Sequence, residues 1–214
     1  MMNLPQTMTD KVVLITGATR GIGKETALAL AALGATTVIV GRDAPRTAET
    51  AEQIRRQPGT QQVDFITADL SLLSETRRLA SDFLRRYDRL HVLINNAGAV
   101  FMKREETGEG LEKTLALNHL SPFLLTHQLL DVLQASAPAR IINVSSNAHH
   151  MGRMRFDDLQ FRRGYRGWLA YAQSKLANIH FSVGLAGMLD PQRVTANALH
   201  PGFVATNFGQ SNGG

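Results

Sequence analysis

Tyr171 and Lys175 stand four residues apart in Tyr171-Ala172-Gln173-Ser174-Lys175, inside a stretch, 168–189, that reads as a helix. At that spacing both side chains leave one helix face. A phenol and an ammonium each ordinarily hold their proton to a pKa of about 10. A fixed positive charge beside the phenol favours the phenolate and lowers its pKa. A tyrosine tuned in this way can give a proton to a carbonyl oxygen or take one from an alcohol. Taken alone, the pentad equally describes a surface Tyr-Lys pair, so the rest of the chain must decide.

The elements that would carry this pair alternate. Residues 12–16, Val-Val-Leu-Ile-Thr, form a continuous β-branched apolar run, the pattern of a strand buried on both faces of a parallel sheet. A glycine turn, Gly17-Ala18-Thr19-Arg20-Gly21-Ile22-Gly23, follows. An alanine- and leucine-rich helix is expected over 24–33, stopped by Gly34, and a second strand over 36–40. Asp43 as N-cap and Pro45 in the first turn open a helix to about Gln57. Beyond it the pattern predicts a strand over 63–68, a helix over 71–87 capped by Ser71 or Ser74, and a strand over 91–95. A long helix over 111–133 and strands over 140–144 and 194–199 complete the series. This alternation predicts an α/β fold, a Rossmann-type doubly wound parallel sheet between helical layers. The 214 residues suit one domain, 1–214. Residues 207–214 are polar and glycine-rich and read as a loop cut before its next element, so the last strand of such a sheet is expected to be missing.

A strand, a glycine turn and a helix N-terminus together favour a pyrophosphate, because free amides and the helix dipole both face the anion. Gly17 permits the turn, Gly21 lets phosphates approach, and Gly23 allows close helix-strand packing. The spacing is Gly-x-x-x-Gly-x-Gly, not G-x-G-x-x-G. After the second strand an NAD site usually places an acid for the ribose 2′-hydroxyl. Here the order is Gly41-Arg42-Asp43, with Arg20 in the turn beside the same ribose. Two guanidiniums suit a 2′-phosphate, which predicts NADP(H). Asp43 is explained as a helix cap. Asp69 after the third strand is either a cap or the partner of an adenine amino group.

Several positions in order now resemble the short-chain dehydrogenase/reductase family over essentially the whole chain. They are Thr16-Gly17-x-x-x-Gly21-Ile22-Gly23, Asp69, Asn95-Asn96-Ala97-Gly98, Asn118, Ser145-Ser146, Tyr171-x-x-x-Lys175 and Pro201-Gly202-x-Val204-x-Thr206. Asn143-Val144-Ser145-Ser146-x-Ala148-His149-His150 and the long insert before Tyr171 are similar to its retinol dehydrogenase-like branch. The resemblance implies that Tyr171 is the general acid/base and that Lys175 lowers its pKa and bonds the nicotinamide ribose. It implies that Ser146, rather than Ser145, polarises the substrate carbonyl, and that Asn118 holds a water for proton relay. It further implies a cofactor lined by Thr19, Ile22, Leu70, Asn95, Ala97 and Gly98, with Pro201, Gly202, Val204 and Thr206 closing over it. It implies a homodimer or homotetramer joined through the 111–133 and 168–189 helices.

Asn118 is a poor helix former in mid-helix, and Pro122 has no amide for its carbonyl. A kink is expected there, with the Asn118 carbonyl open to water. Ala172, Leu176, Ile179 and Val183 are expected to be the core face of the Tyr171 helix. The insert over 147–170, with Phe156, Phe161, Tyr165 and Trp168, suggests a lipophilic aldehyde or ketone. His149 and His150 are adjacent and cannot form a helical metal pair; they are expected at the substrate mouth.

Composition narrows the classes. Hydrophobic content is 43% and charged content 19%, ordinary for a globular domain. The absence of cysteine excludes disulfides, thiolate metal sites and thiol nucleophiles, and no metal is expected. The net charge of +5 is scattered, with one arginine cluster over 153–166 expected on a solvated loop, so a nucleic acid is not the expected partner. No run is apolar enough for a membrane span or signal peptide, which leads to the expectation of a cytoplasmic protein without an anchor. The prediction is an NADP(H)-dependent oxidoreductase interconverting a carbonyl and an alcohol; the rival is a truncated, weakly active cofactor-binding sensor.

Overall fold

Residues 7–57, 59–60 and 62–202 are described by the computed structural model. The apolar runs form β1 (Val12–Thr16), β2 (Thr36–Gly41), β3 (Val63–Thr67), β4 (Val92–Asn95), β5 (Ala139–Val144) and β6 (Val194–Leu199). All pair in parallel, in the order β3-β2-β1-β4-β5-β6. The chain winds outward from β1 and then crosses back to β4, so a crevice opens at the carboxyl ends of these two strands.

Side chains alternate across each strand. Val13, Ile15 and Ile39 face α1 (Gly21–Ala32) and α2 (Ala44–Arg55), where they meet Ala27, Ala31, Ala51 and Ile54. Leu14, Val38 and Leu93 face the other layer, made of α3 (Leu73–Arg86), the three-residue α4 (Lys113–Leu115), α5 (Ser121–Gln128), α6 (Leu130–Ala135) and α7 (Gly167–Met188).

The expected long helix over 111–133 is instead broken. Between α4 and α5 lies a wide π-turn, Ala116–Leu120, closed by the Ser121 amide on the Ala116 carbonyl. Pro122 offers no amide at i+4, so the extra residue is accommodated where the kink was expected.

The cap expected from Ser71 or Ser74 is also supplied differently. Leu72, at the start of α3, makes no side-chain cap. The backbone amides of Leu73 and Ser74 donate to the Glu109 carboxylate at 2.7 and 2.9 Å. Glu109 sits at the tip of a hairpin in which Glu106 pairs with Glu112 and the Thr107 amide donates to the Leu111 carbonyl at 2.8 Å. Bonds from the Ser74 side chain, then from the two amides, hold the Glu109 carboxyl below its usual range. Glu109→Ala should therefore cost about 1 kcal/mol, the ordinary worth of a cap. A lowered folded pKa means that this stability is full above the unfolded value of about 4.3 and fades as pH falls through the folded one. Denaturation curves of both proteins at about pH 7 should differ, and the gap should close in acid; a pH-independent gap would argue against the carboxylate as its source.

The buried stripe of α7 is not the expected one. Ala172 is buried, but Leu176 and Ile179 are only half-buried and Val183 is 68% exposed. Ser174, Asn178 and Ser182 are buried in their place. The reason lies in the sheet, where Asn95 and Asn143 bring amides into the interior. Asn95 Nδ2 donates to Asn143 Oδ1, Asn143 Nδ2 to Ser182 Oγ, and Ser182 Oγ to the Asn178 carbonyl, each at 2.8 Å. Buried polar groups must find partners, and the polar face of α7 provides them.

Candidate active site

The glycine turn is fastened to the exit of β4. Thr16 Oγ1 accepts from the Asn96 and Ala97 amides at 3.0 Å. Asn96 Nδ2 donates to the Thr16 and Gly17 carbonyls at 2.9 and 3.0 Å. Gly17 has φ +66°, and a Cβ there would lie 2.7 Å from Ala97 Cα, so only glycine serves. A cavity of about 960 Å³ follows the carboxyl edge of the sheet, at the upper end of small-molecule sites. Gly17, Thr19, Arg20, Gly21, Ile22 and Gly23 line its middle.

Arg42, after β2, and Asp69 and Leu70, after β3, line the end of the cavity beyond the glycine turn, next to Arg20 of that turn. Asp43 Oδ1 accepts from the Arg46 amide at 2.8 Å, which makes it the cap of α2. The Arg46 side chain lines the cavity too and went unrecognised in the sequence; its place one turn into the helix after β2 was the available signal. Gly41 is buried, and a Cβ there would collide with Thr47 Oγ1 and Thr19 Cγ2. An acidic side chain at that position would have to displace both threonines. Asp69 Oδ1 accepts from the Ser71 amide and hydroxyl at 3.0 and 2.8 Å, so it also braces its own turn.

Tyr171 and Ser146 line the other end with Lys175. Ser146 Oγ accepts from the Ala148 amide at 3.2 Å and shares a hydrogen bond with Tyr171. Ser145 is buried and donates to the Lys175 carbonyl at 2.8 Å, a structural bond. Lys175 Nζ donates to the Val144 carbonyl at 2.8 Å and lies 5.6 Å from the centroid of the Tyr171 ring. Burial pushes the Lys175 ammonium down to about 8. Burial also raises the Tyr171 phenol, opposed by the Ser146 bond. This is the reverse of the expected lowering: in the protein alone, desolvation outweighs the Ser146 bond, and the ammonium is engaged by the Val144 carbonyl.

Asn118 is fully buried and does not line the cavity. Its Oδ1 accepts from the Ala99 amide, and its Nδ2 donates to the Ala99 carbonyl, both at 2.9 Å. Its own carbonyl, expected to be open to water, accepts from Asn178 Nδ2 at 2.8 Å. A Cβ on Gly98 would lie 3.2 Å from both Asn118 Oδ1 and Lys175 Nζ. Asn118 therefore shapes the wall behind Lys175 through the 98–99 backbone.

Asn95 belongs to the buried amide ladder, and its Oδ1 has no hydrogen-bond partner among the described residues. The cavity is lined instead by Asn96, with Ala97 and Gly98, because successive residues leaving a strand face opposite ways. Pro201 and Gly202 line it as expected; Val204 and Thr206 lie outside the described residues. Of the insert's aromatics only Trp168 reaches the cavity, with Met151. Phe161 is buried beneath Arg155, and the Tyr165 hydroxyl donates to the Phe101 carbonyl at 2.8 Å. Phe156 is 81% exposed elsewhere. His149 and His150 lie against one another, 3.9 Å between ring centroids, and neither lines the cavity.

A nicotinamide dinucleotide fits these residues. The tight Gly17 turn before α1 suits a pyrophosphate, the guanidiniums suit an adenosine phosphate, and Tyr171 and Ser146 converge at the opposite end.

The short chain dehydrogenase family matches residues 11–213. Human retinol dehydrogenase 11 is 47% identical over 198 residues, 92% of this chain and 62% of the relative. The chain thus spans about three fifths of the length of such relatives. A crystal structure of an uncharacterized protein from Mycobacterium paratuberculosis superposes with a TM-score of 0.82 at 37% identity, covering 97% of this chain and 74% of that one. The RhlG/NADP active-site complex of Pseudomonas aeruginosa gives a TM-score of 0.76 at 33% identity, with 93% and 75% covered. With the family match running over residues 11–213 and the parallel sheet ordered β3-β2-β1-β4-β5-β6, the chain belongs to the short-chain dehydrogenases.

Proposed function

We propose that the protein is an NADP(H)-dependent oxidoreductase that interconverts a lipophilic aldehyde or ketone and its alcohol. One observation carries the reading: a single cavity joins the Ser146-Tyr171-Lys175 cluster to a glycine turn and to Arg20, Arg42 and Arg46. Gly41 supports NADP(H) over NAD(H), since no acid stands there for a free 2′-hydroxyl and one would have to displace Thr19 and Thr47. The cofactor, when bound, supplies or accepts the hydride at the substrate carbon.

The chain's own groups handle the oxygen. The Ser146 and Tyr171 hydroxyls orient the carbonyl, and Tyr171 transfers the proton. Burial keeps the Tyr171 phenol protonated, the form that a carbonyl reductase requires. The Lys175 ammonium stabilises the phenolate left after transfer. Asn118 acts at one remove, by fixing Ala99.

Phe101, Leu117, Met151 and Trp168 in the cavity wall support a lipophilic substrate, as does the kinship with a retinol dehydrogenase. Phe123, Val183 and Met188, 43%, 68% and 81% exposed on α5 and α7, support a homodimer or homotetramer built through these helices.

The reading is tested by following NADPH oxidation across a panel of aldehydes and ketones. Turnover of long-chain and retinoid-like carbonyls, preferred over small polar ones, is expected. NADPH binding without turnover of any carbonyl would favour a cofactor-binding sensor.

A further inference from the structure

Resting on the oxidoreductase reading, we propose that the preferred substrate is an apolar aldehyde or ketone bearing a carboxylate away from its carbonyl, and that Lys113 selects it. Phe101, Leu117, Met151 and Trp168 line the cavity that holds Ser146 and Tyr171, together with the neutral polar Asn147 and the charged pair Lys113 and Glu105. Lys113 Nζ donates to Glu105 Oε2 at 2.8 Å and stands 4.7 Å from the centroid of the Phe101 ring. The other cations of the cavity wall have assignments: Lys175 beside the phenol, and the three arginines at the adenosine end. Lys113 is the remaining cation among the described lining residues. With no second cation beside it in that wall, it suits a monoanion better than a phosphate.

The pair is unequal. The Glu105 side chain is 45% exposed and that of Lys113 only 26%. An ion pair of this kind is weak, because water competes for both charges. Glu105 can return to solvent at little cost, whereas the less exposed ammonium, lying over an aromatic face in the cavity wall, is left to gain from another anion. A substrate carboxylate can take the place of Glu105 and leave Lys113 paired. A neutral chain of the same shape gains nothing from the ammonium. The backbone keeps the two residues in place, since the Lys113 amide donates to the Glu105 carbonyl at 3.0 Å across the hairpin stem.

The test compares kcat/KM with NADPH for a long-chain ω-oxo carboxylate, its methyl ester and the ω-hydroxy aldehyde of equal length. The wild-type protein should prefer the carboxylate over the ester by roughly tenfold or more, the worth of one charge-assisted hydrogen bond. Lys113→Met should bring the ratio near one, and Lys113→Glu should invert it. Glu105→Gln, which removes the competitor and leaves Lys113, should raise it above wild type. An equal ratio in wild type and Lys113→Met, a ratio lowered by Glu105→Gln, or a preference for the hydroxy aldehyde overturns the proposal. Failure of every protein to reduce even the ester overturns the oxidoreductase reading instead.

Discussion

Tyr171→Phe should lower turnover by about a thousandfold, within the range that a positioned general acid contributes, while cofactor affinity stays close to wild type. The substitution removes one oxygen and keeps the ring. The edge-on contact with Trp168, at 6.0 Å between centroids, and the Lys175 ammonium 5.6 Å from the ring centroid both survive it. The fold therefore has no reason to change, and the loss falls on proton transfer. Ser146 remains to hold the carbonyl oxygen, but its lone hydroxyl lacks the buried ammonium that would steady the resulting anion. The check is a single-turnover rate beside an NADPH titration. A rate within a few-fold of wild type would remove Tyr171 from its role; a parallel loss of binding would mean that the phenol serves the cofactor rather than the reaction.

Arg42→Asp should move the preference from NADPH toward NADH by about ten- to a hundredfold, the worth of one charge-assisted bond to phosphate plus the repulsion of a new carboxylate. Arg42 is exposed at the adenosine end of the cavity, where Arg20 and Arg46 also stand. Because those two remain, the change should be partial, and adding Arg46→Ala should carry it further. Ratios of kcat/KM for the two cofactors measure it directly. An unmoved ratio would place the 2′-phosphate elsewhere or show that the protein uses NAD(H).

The parts of this site that were legible in the sequence are those whose causes are local. The Asp43 cap depends on the Arg46 amide three residues on, and the Gly17–Gly23 turn shows in the spacing of its own glycines. The doubly wound parallel sheet followed from the alternation of elements, since parallel strands joined by helices can wind in few ways. What escaped has distant causes. Nothing near Ser71 indicates that α3 will be capped from Glu109. Helical periodicity placed Val183 in the core because it weighs apolar character alone; the interior amides of Asn95 and Asn143 called for a polar stripe instead. Asn118 was correctly singled out as a break, yet its carbonyl belongs to Asn178, sixty residues away. Phe161 and Tyr165 looked like a substrate lining, but Phe161 packs beneath Arg155 and Tyr165 ties the insert to the Phe101 carbonyl.

The way the hairpin is held has a consequence for how such a protein diversifies. The cofactor side of the cavity is made of strand ends and the glycine turn, so altering it disturbs the sheet. The substrate side is clipped on by side chains: Glu109 to the start of α3, Arg104 to the Gln160 carbonyl, and Gln160 Oε1 to the Glu112 amide. Its residues can be exchanged while the clips hold. Mutational tolerance should therefore divide the cavity in two, with a reaction centre that resists change and a specificity wall, including Glu105 and Lys113, that drifts from one descendant to the next.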